Sequence, residues 1–322
     1  MINSILLVFI GAVLGIFTGF NVSETPYFYE IMDLFLVIVL FTNTERISVH
    51  FRKKHKNKPI ILATLGVVFK ILVLGAFLYA LTGSYISFLI ASIISQIDPV
   101  STYKNIKQKY IGAKVKDLIL FESAFDDPVS VLLTFYVFLP LTLGVYSSAV
   151  NYVSMIAVNL ILIAVLVLLH KLKFMDELLV IISILAGFYF RAFLFVAVAG
   201  LIVKDIFEPQ LDFLSQLIYY LVFPAIGIIA SLQSLNIIAG AVIAFLMVFI
   251  VRSLEILLIF RCQFKKYDFY ELILSEERGI TTVLLCLAVQ VYHNVIPVIV
   301  PALILINAIS YAGFTAKKSL NS

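Results

Sequence analysis

Charge is what this sequence has least of. Only 13% of its 322 residues are charged, against 62% hydrophobic, and the mean hydropathy is +1.11. That charge content is about half the usual share for a soluble domain. Cysteine and histidine are nearly as scarce. The two cysteines, Cys262 and Cys286, lie in or near apolar segments without metal-ligand spacing and read as free buried thiols. The four histidines, His50, His55, His170 and His293, fall at span ends or in loops, which argues against a haem or a buried metal centre. Low-complexity stretches, linkers and an appended soluble domain are also lacking, and a net charge of +4 gives no reason to expect nucleic acid as a partner.

What is there instead is a succession of apolar runs long enough to span a bilayer. Spanning backbone must satisfy its own hydrogen bonds, which leaves helices or closed barrels. Continuous apolar runs exclude a barrel, whose strands would alternate. The expected fold class is therefore an all-α polytopic membrane protein. Twelve spans are read, at 3–21, 28–45, 59–83, 86–106, 114–143, 148–170, 175–188, 190–204, 213–232, 236–262, 270–292 and 296–314. The segment Asn3–Phe20 has no basic n-region and no cleavage site, so it reads as a retained first helix.

The basic residues test this count. Arg52, Lys53, Lys54, Lys56 and Lys58 share one side with Lys107, Lys109, Lys114 and Lys116. Lys171, Lys173, Lys204, Arg261, Lys265, Lys266, Lys317 and Lys318 fall on that side too. The opposite loops at 21–27, 82–84, 144–147, 233–235 and 293–297 hold no Lys or Arg. The positive-inside rule then places both termini in the cytoplasm. The count depends on reading Met175–Lys204 as two short spans turning near Tyr189–Arg191, since one overlong helix would put every later basic loop outside. Arg191 itself reads as a solvated turn residue.

A charge at the bilayer centre costs roughly 2.5–3.5 kcal/mol on insertion scales, so ionisable residues there face a cavity or a partner. The stretch FESAFDDPVSVL (121–132) brings Glu122, Asp126 and Asp127 into such a run. At about 1.5 Å per residue, Asp127 lies roughly 17–20 Å into its span and Asp98 about 18 Å into its own, both near the midplane. Asp98 precedes Pro99, and proline disfavours helix at the residue before it. A second interruption reads at Glu276, Glu277, Arg278 and Gly279 in the eleventh span. The fourth and eleventh spans run oppositely and lie seven apart, as do the third and tenth and the fifth and twelfth. This is the arithmetic of an inverted repeat with two discontinuous helices crossing at the midplane, a secondary-transporter design.

Glu122 and Arg252 come to matching depth, roughly 10 Å from the cytoplasmic face, and read as an ion pair. Ser123 and Asp127, at i and i+4, can offer oxygens to one cation. Low dielectric disfavours a charged carboxylate, so such a group can hold either a proton or a cation. Competition between the two at one site with alternating access is exchange. Several bland readings stand beside these. Asp126 and Asp127 can be a polar packing cluster, and Asp98 a helix cap. Glu45 reads equally as a solvated helix end or a ligand. Glu276 and Glu277 can be partners of Arg278, and Lys70 calls for a buried partner that the sequence does not name.

These residues resemble the cation–proton antiporter superfamily, nearest the NhaP-like sodium/proton antiporters. The resemblance rests on IDP at Ile97–Pro99, ESAFDD at Glu122–Asp127, Arg252 in IVRSLEILLIF, ERG at Glu277–Gly279 and LFTNTE ending at Glu45, in order across nearly the whole chain. It implies an antiporter, not an enzyme, without a cofactor. Its partners would be H⁺ and Na⁺ or another monovalent cation such as Li⁺ or K⁺, with the lipid bilayer around it. It implies cation and proton binding at the Asp126–Asp127 pair, chiefly Asp127, with Ser123, Glu45 and the backbone of Ile97 helping. Glu122–Arg252 would be the structural ion pair, and Asp98 and Arg278 would compensate the half-helix ends at the crossing. It further implies a homodimer in the plasma membrane, a core bundle at about 59–143 and 236–314, and interface helices at about 3–45 and 175–232. Two departures stand out. Ile97 replaces threonine, and Asp126 replaces asparagine, giving the Asp–Asp pair of the electrogenic branch. That branch has lysine where Arg252 stands, and arginine does not release its proton. A cation channel or a transport-inactive sensor on the same fold is the alternative. An intramembrane aspartyl protease ranks last: adjacent aspartates project about 100° apart on a helix, and no GxGD motif is present.

Overall fold

A computed structural model of the chain describes residues 2–53, 57–97, 113–144, 149–172, 174–203, 208–258, 273 and 278–320. Among them the protein is helical throughout, with twelve helices in chain order. They are α1 (Ile2–Thr18), α2 (Phe28–Lys53), α3 (Asn57–Thr82) and α4 (Ile86–Ile94), then α5 (113–142) and α6 (Ala149–Lys171). After these come α7 (Asp176–Tyr189), α8 (Phe193–Ile202), α9 (Glu208–Ser231), α10 (237–258), α11 (Ile280–Gln290) and α12 (Ile296–Leu320). Five segments among the described residues are long and apolar enough to cross a membrane on their own: Thr64–Thr82, Phe125–Thr142, Val153–Lys171, Pro209–Ser231 and Ile237–Leu258.

The bundle is apolar outside and charged inside. Phe17, Leu168 and Ile238 are exposed, while Lys70, Glu122, Arg252 and Glu255 are fully buried. Large apolar side chains facing outward all round are what lipid requires and what water would not tolerate. Close helix crossings use missing side chains. Gly11 of α1 lies against the backbone of Pro224 in α9, and Gly227 of α9 lies against the carbonyl of Val8 in α1. A methyl group at either would strike backbone, so the two helices approach as small-residue membrane pairs do.

The segment 175–204 forms two helices rather than one. Arg191, in the left-handed region at φ 48°, turns the chain between α7 and α8. Gly187 of α7 packs on Val196 of α8, so the two fold back on each other as a hairpin. Along α2 the contacts descend in register: Asp33 meets Arg191, Val37 meets Gly187, and Thr44 meets Gly200. Helix α8 therefore runs parallel to α2 and α7 against it. At 14 and 10 residues, α7 and α8 reach only about 21 and 15 Å, short of the ~30 Å hydrocarbon core.

Two interruptions shape the interior. Helix α4 stops at Ile94 with Ser95 as its cap, and Gln96 and Ile97 follow outside the helix, in the sequence just ahead of Pro99. Helix α11 starts only at Ile280, after Arg278 and an extended Gly279. Asp98, Pro99, Glu276 and Glu277 lie outside the described residues, as do Cys262, His55 and Lys204. Cys286 is a free, buried thiol.

Candidate functional site

Helix α5 carries the acidic stretch and is itself disturbed there. Pro128 sits inside it and withholds one backbone donor, and residues 134–138 widen to a π-helical turn. Helix α10 has a similar π-helical stretch, 246–251, immediately before Arg252. The two irregular helices hold the opposite ends of one buried charge cluster.

In that cluster the Arg252 guanidinium grips Glu122 with both nitrogens: Nη1 donates to Oε1, and Nη2 donates to Oε2 at 2.8 Å. Nη1 also donates to Glu255 Oε2, three residues on, at 2.6 Å. Lys70 of α3 adds a second cation, its Nζ donating to Glu122 Oε1 at 3.0 Å and to Asp126 Oδ2 at 2.7 Å. Two cations and three carboxylates are thus bound together with no exposure to solvent. Gly66 of α3 makes room for this, because a side chain there would press on Glu255 Oε1. Lys70 thereby has its partners, which the sequence left unnamed. The i, i+4 repulsion between Glu122 and Asp126 is relieved from two helices rather than one.

Asp127 has different neighbours. Its Oδ2 accepts from Asn43 Nδ2 of α2 at 2.6 Å and from Thr281 Oγ1 of α11 at 2.7 Å. Thr281 lies in the first turn of α11, so the carboxylate also faces the positive end of that helix dipole. Asp127 is 2% exposed and Asn43 4%. Ser123 is buried one turn earlier on α5. Glu45, at 3% exposure, is buried near Gly200 of α8, which overturns its reading as a solvated helix end.

The interrupted helices meet beside this site. Arg278 Nη1 donates to the backbone carbonyl of Gln96, just past the end of α4, at 2.8 Å. That puts a positive charge where the half-helix leaves its carbonyls unpaired. The backbone of Arg278 is itself satisfied by one side chain of α12. Its N–H donates to Asn307 Oδ1 at 2.7 Å, and its carbonyl accepts from Asn307 Nδ2 at 3.0 Å. Non-helical backbone at this depth survives only with such partners. Ile97 is buried next to Gln96. Arg191 is not merely a solvated turn residue: it pairs with Asp33 at 2.7 Å and donates to Tyr292 Oη at 3.2 Å.

Sequence reasoning passed over Asn43, Thr281, Gln96 and Asn307, and marked Glu255 only as an ionisable residue inside a span, without its partner Arg252. Signals for the first two were present. Asn43 stands among consecutive polar residues in LFTNTE, and Thr281–Thr282 directly follow the interrupted ERG stretch. Among the described residues no group of three or more His, Cys, Asp or Glu is arranged to hold a metal centre.

An apolar-faced helical bundle whose interior holds paired charges and two meeting helix breaks defines a multi-pass integral membrane transporter. The family model "Sodium/hydrogen exchanger, transmembrane" matches residues 3–316, and the chain belongs to that family. Its relatives are transporters, not enzymes. In fold it is similar to the sodium proton antiporter MjNhaP1 from Methanocaldococcus jannaschii. The structure of that protein at pH 8 superposes with a TM-score of 0.72 at 17% identity, covering 98% of this chain and 90% of the other. Its electron-microscopy structure gives 0.70 at 20% identity, covering 98% and 91%. No match is found among curated proteins.

Proposed function

We propose that the protein exchanges Na⁺, or Li⁺ or K⁺, for H⁺ by alternating access, with Asp127 as the group that carries either ion. The observation that carries this reading is the contrast in the cluster. Of the buried α5 carboxylates, Glu122 and Asp126 bond to the cationic groups of Arg252 and Lys70, while Asp127 accepts from an amide and a hydroxyl. A buried carboxylate held by groups that can either donate or accept keeps its partners whether it carries a proton or an alkali cation. Ser123 and Glu45, with Asp126 and the backbone at Ile97, complete the set of candidate oxygens. Glu122–Arg252 acts as the structural pair, and Asp98 and Arg278 compensate the half-helix ends.

Exchange follows when a core bundle of about 59–143 and 236–314 moves against interface helices of about 3–45 and 175–232, opening Asp127 to one side at a time. The inverted repeat read from the spans supplies the symmetry for such a movement. The protein works in this reading as a homodimer in the plasma membrane, with both termini in the cytoplasm.

The test is Asp127→Asn in everted vesicles, following dequenching on addition of Na⁺, Li⁺ or K⁺ with and without a membrane potential. Exchange is expected to fall to background while the protein inserts and folds normally. Wild-type exchange in that variant refutes the assignment.

A further inference from the structure

We propose that Asn43 is a ligand of the transported cation, through its side-chain carbonyl oxygen, and that its amide turns over as the site fills. This rests on the reading of Asp127 as the exchange site.

The geometry begins on α2, where Thr42, Asn43 and Thr44 are consecutive and buried. The two threonines bond to their own helix. Thr42 Oγ1 donates to the Ile38 carbonyl at 2.8 Å, and Thr44 Oγ1 contacts the Leu40 and Phe41 carbonyls at 2.9 Å each. Asn43 alone of the three reaches across, to Asp127.

Asn43 offers Asp127 an N–H, the partner a charged carboxylate takes. An alkali ion arriving at Oδ2 would meet that N–H as a repulsive partner. The amide carries a donor and an acceptor on one planar group. Its terminal torsion is broad and roughly two-fold, so a half-turn exchanges the two without moving the backbone. The carbonyl oxygen then lies where the N–H lay, and hard cations take oxygen ligands. Thr281 can make the same change, since a hydroxyl that donates to Asp127 can rotate and present a lone pair. With a proton on Asp127 instead, the turned amide accepts the carboxyl O–H. Neither Lys70 nor Arg252 has this option, because both side chains only donate. Asn43 therefore answers to what Asp127 holds, whereas the charge cluster does not.

The test uses the purified full chain in detergent, titrated with Na⁺ while thermal unfolding is followed, together with vesicle exchange at a pH where added carboxylates are ionised. Three variants are compared: Asn43→Leu, Asn43→Asp and Asp127→Asn. Asn43→Leu removes donor and acceptor at similar volume. It is expected to raise the Na⁺ concentration for half-saturation by about tenfold or more, equivalent to ~1.4 kcal/mol. Asn43→Asp discards the donor and keeps an oxygen. It also adds a negative charge beside Asp127, so it is expected to bind Na⁺ at least as tightly as the parent where both carboxylates are ionised. A residue that only props Asp127 would make both variants equally defective. That outcome, or an unchanged half-saturation in Asn43→Leu, overturns the inference. Should Asn43→Leu not fold, Asn43→Ala is read by the same criterion. Asp127→Asn separates the two levels. If it loses the Na⁺ response while Asn43→Leu keeps a normal one, only the role of Asn43 falls. If it keeps the Na⁺ response, the site itself is misassigned.

Discussion

Asp126 meets an ammonium group, whereas Asp127, the next residue on the same helix, meets an amide and a hydroxyl. About 100° of helix rotation separates their directions, enough to put one against α3 and the other between α2 and α11. The first environment presents a cationic group that only donates. The second consists of neutral groups that can donate or accept. A cation already bonded to a carboxylate competes with an ion that would enter, whereas an amide and a hydroxyl can turn to present oxygen. The difference between the two adjacent carboxylates is thus set by neighbours on other helices, α2, α3 and α11, rather than by the acidic stretch itself.

Loss of exchange in Asp127→Asn, with little change in stability, is the largest expected effect, because an asparagine there can still accept from Asn43 and Thr281. Arg252→Ala should behave in the opposite way. It leaves Glu122 and Glu255 buried without the guanidinium that joins them. Breaking a buried pair from one side costs about 3–5 kcal/mol. A large fall in thermal stability in detergent is therefore expected even where residual exchange survives. An Arg252→Ala protein as stable as the parent would dissolve the distinction between the two environments.

A finer version concerns Lys70. Lys70→Met strands Asp126 and weakens the hold on Glu122, so a loss of roughly 3 kcal/mol is expected. Adding Asp126→Asn should recover most of it, since replacing both members of a buried pair by neutral groups is often close to neutral. Failure of the double variant to recover would mean that Lys70 chiefly serves Glu122, and that Asp126 belongs with Asp127 rather than against it.

Most of the fold was legible because the bilayer writes it into composition. The helical segments and the α7–α8 hairpin follow from apolar run length and the positions of basic residues. Half of the candidate site was legible for the same reason: acidic residues inside an apolar run are conspicuous, and Glu122 with Arg252 could be paired by their positions along the two helices. The rest was not, because depth fixes height and leaves rotation open. Asn43 and Thr281 are polar residues that a membrane helix tolerates when they bond to their own backbone, as Thr42 and Thr44 do. Nothing in their identity says which will turn inward. Lys70 was visible as an anomaly, but its partners depended on how α3 is rotated against α5. Gln96 and Asn307 matter through backbone that only the two breaks expose.

The smallest effect concerns a histidine far from this contrast. His293, in the loop between α11 and α12, contacts Thr142 Oγ1 through Nε2 at 2.8 Å. Partial burial holds its pKa below the ordinary imidazole value, so the fold favours the neutral ring. The unfolded chain then binds more protons than the native one in the window just below about pH 6.5, and stability falls as pH drops through it. His293→Gln keeps a hydrogen-bonding group for Thr142 and cannot titrate. Its melting temperature should accordingly decline less steeply on acidification than the parent's, by a few degrees at most. With Asp127 as the proposed carrier of the transported proton, the pH profile of exchange should stay where it was. Were the exchange profile to move with His293→Gln, proton sensing would be shared with the loop, and the division between a responsive Asp127 and an otherwise unresponsive frame would no longer hold.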